Sequence, residues 1–270
     1  MGAVGSVGDV DVTERFVALV RGPEATLPLD EAALLVAAHA VPGVDVDAEL
    51  GRLDELAAGV SEPTLDGLCR HLFGELGFRG AEHAYDDPRS SYLHEVVERR
   101  SGIPITLSIV LMEVGRRLGV PLAGVSMPGH FLVRDKVDPE LFVDAYARGL
   151  RLDRRGAEAR FHAVLGPAAV FDPAFLEPAG RRSIVARVLA NLERIATEGA
   201  DREALRWVLR LRASMPGAGP AERRRLAALL ATTGQVVEAA TLLEAVAAES
   251  EGTQSEGALA AAARLRATLN

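Results

Sequence analysis

This 270-residue chain has one cysteine, Cys69, and one lysine, Lys136. A single cysteine permits no internal disulfide, so a reducing cytoplasm is the simplest compartment. Every basic residue other than Lys136 is arginine, which together with the abundance of Ala and Gly reads as coding bias before function. A basic surface is also missing. The net charge of -8 argues against a general nucleic-acid binder. No long hydrophobic run exists. The most apolar stretch, Ile105 to Met112, contains Thr106 and Ser108 and is far too short to span a bilayer. The first residues, MGAVGSVGDVDVTERF, have no basic segment followed by an apolar one, so no signal peptide is expected. MGAVGS does fit the myristoylation pattern through Gly2 and Ser6. A chance match in a glycine-rich start is the simpler reading, and no membrane partner is expected.

What is present suits an ordinary soluble globular protein, with 49% apolar and 25% charged residues. The length allows one large domain or two small ones. Residues 1–14 read as disordered. Helical periodicity starts at Leu29, with Asp30 as a candidate N-cap and Ala32, Ala33, Leu35 and Val36 on one face. Asp45-Val46-Asp47 opens a second helix, and a third is expected from Thr64 to Leu76, closed by Gly77. Asp87-Pro88 combines an N-cap with a proline at the first helical position and predicts a helix to about Ser101. Pro104 then opens the most apolar helix of the chain, capped by Gly119. That helix is apolar nearly all round in its first half, which predicts a buried central helix.

After Gly119 the period becomes alternating. Leu122 to Met127, Gly129 to Arg134, Leu141 to Tyr146 and Leu150 to Asp153 read as short strands. DKVDPE has turn composition. A hairpin centred on Val137 places His130 and Asp144 directly opposite one another, within side-chain reach on one face. Residues 166–180 are rich in Pro and Gly and read as a linker. The chain is then helical to its end. EALRWVLRL at Glu203 and EAATLLEAV at Glu238 are weakly similar at an offset of 35 residues, near the tetratricopeptide period of about 34. Two such units are too few to stand alone as a solenoid. The fold class read from these patterns is α+β.

GFRG, YDDPRSSYLHEVVERRSGIPITLS, RRLGVPLAGV, PGHFLVR and the following FVD resemble the SirB-type family of transglutaminase-like proteins. The resemblance runs from about Leu29 to Glu249 and is strongest from Gly77 to Asp144. It implies a papain-like core with a small antiparallel sheet and a helical N-terminal portion, over residues 15–165. It implies tetratricopeptide-like helices over residues 181–270. The wider superfamily uses a Cys-His-Asp triad whose cysteine starts a helix ending in Gly-x-Pro. Here that ending is Gly119-Val120-Pro121, and counting back reaches Pro104. The histidine maps to His130 and the aspartate to Asp144. Two triad members are therefore implied, and the nucleophile position is proline. The chain also departs from the family pattern. Ala81 and Ser90 stand where asparagine is usual, and Asp144-Ala145-Tyr146 replaces Asp-Pro-Phe.

Each candidate has a functional and a structural reading. His130 and Asp144 are either base and orienter or a structural hydrogen bond left from an enzyme ancestor. Thr106 and Ser108 are hydroxyls just inside the helix that Pro104 opens, and ordinary back-bonding to that helix is the simpler account. Cys69 reads as packing, because reactive thiols need an open, electropositive site. His94-Glu95-Val96-Val97-Glu98 resembles H-E-x-x-H but ends in glutamate, and His71 and His83 have no spacing that completes a metal site. No metal or other cofactor is expected. Arg89, Glu98, Arg99 and Arg100 either line a cleft for an acidic group or form surface salt bridges. Arg223-Arg224-Arg225 reads as an exposed face. Trp207, with Leu205, Leu209 and Leu211, is either helical core or a groove for a partner.

The expectation is a cytoplasmic, non-catalytic transglutaminase-like protein that binds a protein or peptide. The alternative is a divergent hydrolase or peptidase using His130 and Asp144 with water or a relocated hydroxyl. A third class is a purely structural protein without a ligand.

Overall fold

The computed structural model describes residues 7–81 and 86–269. Gly2, Ser6 and His83 lie outside them. Helix α1 (Val7–Arg21) takes in residues read as disordered. It is followed by α2 (Leu29–Ala40), α3 (Val46–Ala58) and α4 (Leu65–Cys69), the last continuing as a wider π-type turn over Arg70–Glu75. The Asp45 carboxylate caps α3 by accepting from the Asp47 and Ala48 amides at 3.1 and 3.0 Å. Gly77 ends the third helical segment at φ +76°, a conformation that glycine adopts at no steric cost.

Asp30 is not the cap of α2. It is the second helical residue and is 1% exposed. Its carboxylate faces Arg117 Nη1 at 2.7 Å and Arg116 Nη2 at 3.3 Å. The amide of Leu29 instead donates to Glu113 Oε1 at 3.4 Å. Glu113, also fully buried, pairs with Arg116 and Arg181. Two buried carboxylates held by three arginines follow from the cost of burying an unpaired charge.

Strand β1 (Arg79–Gly80) pairs in parallel with β2 (Ser101–Gly102). Between them lie a short 3₁₀ turn at Pro88–Ser91 and α5 (Leu93–Arg99). The single helix expected from Asp87 is thus broken at Tyr92. Asp87 does cap the first turn, accepting from the Arg89 amide at 3.0 Å. The Ser90 carbonyl is then taken by Thr106 Oγ1 at 2.8 Å, which removes an acceptor that a continuous helix would need.

Helix α6 (Pro104–Arg117) is buried along Pro104–Gly115, and α2, α3, α4 and α5 all contact it. Proline occupies its first turn, where no intrahelical N–H bond is lost. Gly119 closes it at φ +72°. The sheet that follows is antiparallel in the order β3 (Leu122–Val125), β4 (Leu132–Asp135), β5 (Phe142–Asp144), β6 (Leu150–Leu152). Helix α7 (Arg154–Leu165) comes next. Residues 166–180, read as linker, contain a 3₁₀ turn at Pro173–Leu176 and run along β3, where the Ala179 amide donates to Gly124 O at 2.8 Å. Phe171 stands edge-on to Phe161 and Phe175 stacks on it, with ring centroids 5.4 and 5.6 Å away.

The chain divides into two compact units between Val188 and Leu189, within helix α8 (Arg181–Glu198). The second unit holds α9 (Arg202–Ser214), α10 (Pro220–Thr232), α11 (Val236–Ala248) and α12 (Thr253–Ala267), each touching the next. α9 and α11 have equal length and begin 34 residues apart. Leu209, Leu226, Leu230, Ala240 and Leu243 form their core. Trp207 and Leu205 are only half-buried. Arg223 and Arg225 pair with Glu249 and Glu193, and Arg224 donates to Gln254 O, so this basic run is engaged within the unit. Among the described residues no helix is long and apolar enough to cross a membrane.

Candidate functional site

The hairpin between β4 and β5 is centred on Asp138, not Val137. Val133 pairs with Val143 and Arg134 with Phe142. The turn is set by two aspartates: Asp135 Oδ1 accepts from the Val137 amide at 2.8 Å, and Asp138 Oδ1 from the Glu140 amide at 3.1 Å. Moving the centre by one residue moves the pairing by two, which preserves the face. His130 lies before β4 in a turn whose amide donates to Met127 O at 3.2 Å. The two residues still meet. His130 Nε2 is 3.0 Å from Asp144 Oδ2, and they are 3% and 0% exposed.

Gly129 enables that turn. Its φ is +72°, and a Cβ there would lie 2.7 Å from Val164 Cγ1. Arg187 on α8 clamps the same loop. It donates to Ser126 Oγ at 2.6 Å, Met127 O at 2.8 Å and His130 O at 2.9 Å, and its guanidinium lies 5.7 Å from the Phe131 ring centroid.

Asp144 is saturated. Besides His130, Oδ2 faces Arg160 Nε at 2.9 Å, and Oδ1 accepts from the Ala147 amide at 3.0 Å. Burial pushes this carboxyl up, but the His130 and Ala147 hydrogen bonds and the His130 and Arg160 charges outweigh it. The net effect holds Asp144 below the usual carboxylate range. The second ring nitrogen of His130, Nδ1, has no hydrogen-bond partner among the described residues.

The first helical position of α6 is Pro104, which has no group that can attack. Thr106 Oγ1 donates to Ser90 O at 2.8 Å and to Ile103 O at 3.2 Å within a fully buried setting, so its proton is engaged. Ser108 Oγ is sealed in the interior without a partner. Burial pushes the Cys69 thiol up to about 12, which suppresses the thiolate that nucleophilic chemistry requires. Among the described residues no group of three or more His, Cys, Asp or Glu could hold a metal ion.

A family model matches residues 35–190, described as the transglutaminase-like superfamily. The chain belongs to that superfamily. A UPF0162 protein of Xylella fastidiosa is 42% identical over 185 residues, which cover 63% of this chain and 65% of that one. A UPF0162 protein of Pseudomonas aeruginosa is 33% identical over 182 residues, covering 64% and 66%. F-box only protein 21 of Homo sapiens is 34% identical over 103 residues, covering 35% and 16%. The chain therefore spans slightly less than two thirds of the UPF0162 relatives' own length. No solved structure matches.

Within this transglutaminase-like domain, Ala81, Tyr146 and His130 meet in space. Tyr146 Oη donates to Ala81 O at 3.0 Å, a bond that phenylalanine could not make. The Tyr146 ring stands edge-on to His130, with centroids 6.1 Å apart. Arg89, Arg99 and Arg100 do not line a cleft for an acidic group. Arg89 and Arg99 pair with Asp87 at 2.9 and 3.5 Å, and Arg100 donates to Leu76 O at 3.1 Å. A polar cleft of about 710 Å³ instead has Arg79, Arg148 and Arg160 in its walls. Sequence patterning offered no signal for Arg160 or Arg187. They come from α7 and α8, 16 and 43 residues beyond Asp144.

Proposed function

We propose that this chain is a non-catalytic, SirB-type transglutaminase-like protein that works by binding a protein or peptide segment. The carrying observation is Pro104 at the start of α6, where the superfamily's nucleophile is expected. A triad without its nucleophile loses its covalent chemistry. Thr106 cannot substitute readily, because its hydroxyl proton is already shared between two carbonyls. In this reading His130 and Asp144 are relict triad positions that now order the loop before β4. The 34-residue offset of α9 and α11 favours tetratricopeptide-like helices in the second unit. A groove of about 580 Å³ between α10 and α12, lined by Ala227, Ala231, Ala258 and Leu265, suits a binding role there. The domain plan that goes with this reading is a transglutaminase-like part over residues 15–165, a connector over 166–180 and the helical part beyond, in a cytoplasmic protein.

A second reading has its own support. His130 Nε2 is held by Asp144 while Nδ1 has no partner among the described residues, the arrangement of a general base acting on water. One assay separates the two. The full chain is tested for transamidation with a glutamine peptide and an amine, and for peptide hydrolysis, across pH 5–9. The binding reading expects no turnover above buffer. Turnover that disappears in His130→Ala would overturn it in favour of the hydrolase.

A further inference from the structure

We propose that the cleft beside Tyr146 is an oxyanion-binding subsite, taking a carboxylate or phosphate group on the guanidinium groups of Arg79, Arg148 and Arg160. Among the described residues no acidic side chain lines the cleft; besides the arginines its walls hold Gly80, Ala81, Ser101, Tyr146 and Ala147. Positive charge in a concave site without a counter-charge is a recognition feature for anions.

Most arginines of the first unit are engaged by carboxylates or carbonyls, as Arg15, Arg117, Arg154 and Arg182 illustrate. Arg21, Arg79, Arg148 and Arg155 have no such partner among the described residues, and two of them meet in this cleft. Arg160 is anchored from behind, with Nε facing Asp144 Oδ2 at 2.9 Å and its side chain 29% exposed. Its remaining N–H groups are left for another acceptor.

The backbone at Arg148 supplies an independent argument. Arg148 sits at φ +56°, followed by Gly149 at φ +74°. A left-handed conformation is costly for an arginine and free for a glycine. The turn that imposes it is built from Asp144: the Gly149 amide donates to Asp144 O at 2.9 Å and the Ala147 amide to Asp144 Oδ1 at 3.0 Å. This turn carries Arg148, which has no ionic partner among the described residues, into the wall of the basic cleft. Because Arg160 and Tyr146 contact both the cleft and the His130–Asp144 pair, a bound anion would compete with Asp144 for Arg160.

The test is calorimetric titration of the full chain at low ionic strength. The probes are inorganic phosphate, an acetylated tri-glutamate amide and its tri-glutamine counterpart. Arg148→Gly removes one guanidinium and relieves the backbone, so its melting temperature should equal or exceed that of the wild type. Arg79→Gln removes a second. The expected result is binding of at least one anion and not of tri-glutamine, weakened about tenfold in each variant. Binding of phosphate alone assigns a phosphate ligand, binding of tri-glutamate alone assigns acidic side chains, and binding of both assigns a general oxyanion site. Absence of binding by both anions, or affinities unchanged in both folded variants, would overturn the proposal.

Discussion

Replacing Asp144 with asparagine tests the organisation of the site most directly. The substitution keeps the shape and removes the charge. In the wild type the carboxylate serves His130 Nε2 at 3.0 Å, Arg160 Nε at 2.9 Å and the Ala147 amide at 3.0 Å. Asparagine can retain the Ala147 bond through its oxygen, but its amide group then faces His130 and Arg160 with donors. Hydrogen bonds to charged groups contribute about 1.5–3 kcal/mol each. The Arg160 share is discounted, because its side chain is 29% exposed and rehydrates. The expected loss is therefore about 2–3 kcal/mol. With a urea slope of about 3 kcal/mol/M, the unfolding midpoint should fall by roughly 0.7–1 M. Tyr92 and Tyr146 belong to the first unit and the single Trp207 to the second. Tyrosine near-ultraviolet dichroism therefore follows the relevant unit. The pH dependence adds a sign. Asp144 is held below the usual carboxylate range, so its stabilisation is complete above the unfolded pKa of about 3.9 and lost as pH falls through the folded value. Wild type and variant should differ most at pH 7 and converge towards pH 3. A midpoint change at pH 7 below about 0.2 M, or an equal difference at both pH values, would refute the reasoning.

Burial, together with the charge of Asp30, raises the Glu113 carboxyl above its usual range. Glu113 should therefore favour the folded state most below about pH 4.5 and lose that advantage as pH rises through the folded value, a slope that urea titrations should find abolished in Glu113→Gln. Thr106→Val leaves the buried Ser90 carbonyl without the donor that now lies 2.8 Å away, and should cost about 1–3 kcal/mol in the tyrosine-monitored transition. A Cβ at Gly80 would lie 2.5 Å from the Tyr146 ring. Gly80→Ala should therefore cost about 1–3 kcal/mol and alter the tyrosine dichroism as the ring is displaced. Asp45→Ala removes a cap with two accepted amides and should cost about 1 kcal/mol in the same assay.

The readable parts of this fold were those with local causes. Asp45 caps its helix through its own side chain, and Gly77 and Gly119 end theirs because the backbone there is left-handed. Asp87 and Pro88 were correctly read as a helical start, but the helix beyond them is interrupted. The cause is Thr106, 16 residues away from the carbonyl it takes. Asp30 looked like a cap because its residue type favours one, yet long-range pairing with Arg116 and Arg117 claimed its carboxylate. The apolar helix opened by Pro104 is buried along Pro104–Gly115, as a stripe with no polar side must be.

By itself the sequence determined the buried apolar helix opened by Pro104, the alternation that makes a small antiparallel sheet, and the pairing of His130 with Asp144. Each depends on periodicity or on parity, and parity survived a two-residue change of register. Tertiary structure alone decided which arginines meet Asp144, the loop before β4 and the cleft. Arg148 arrives through a strained turn, Arg160 from α7, Arg187 from α8 and Arg79 from the short strand before α5. Arg160 is held by a buried carboxylate and Arg187 by buried carbonyls across long chain separations, and no local pattern in the sequence records where those acceptors will be.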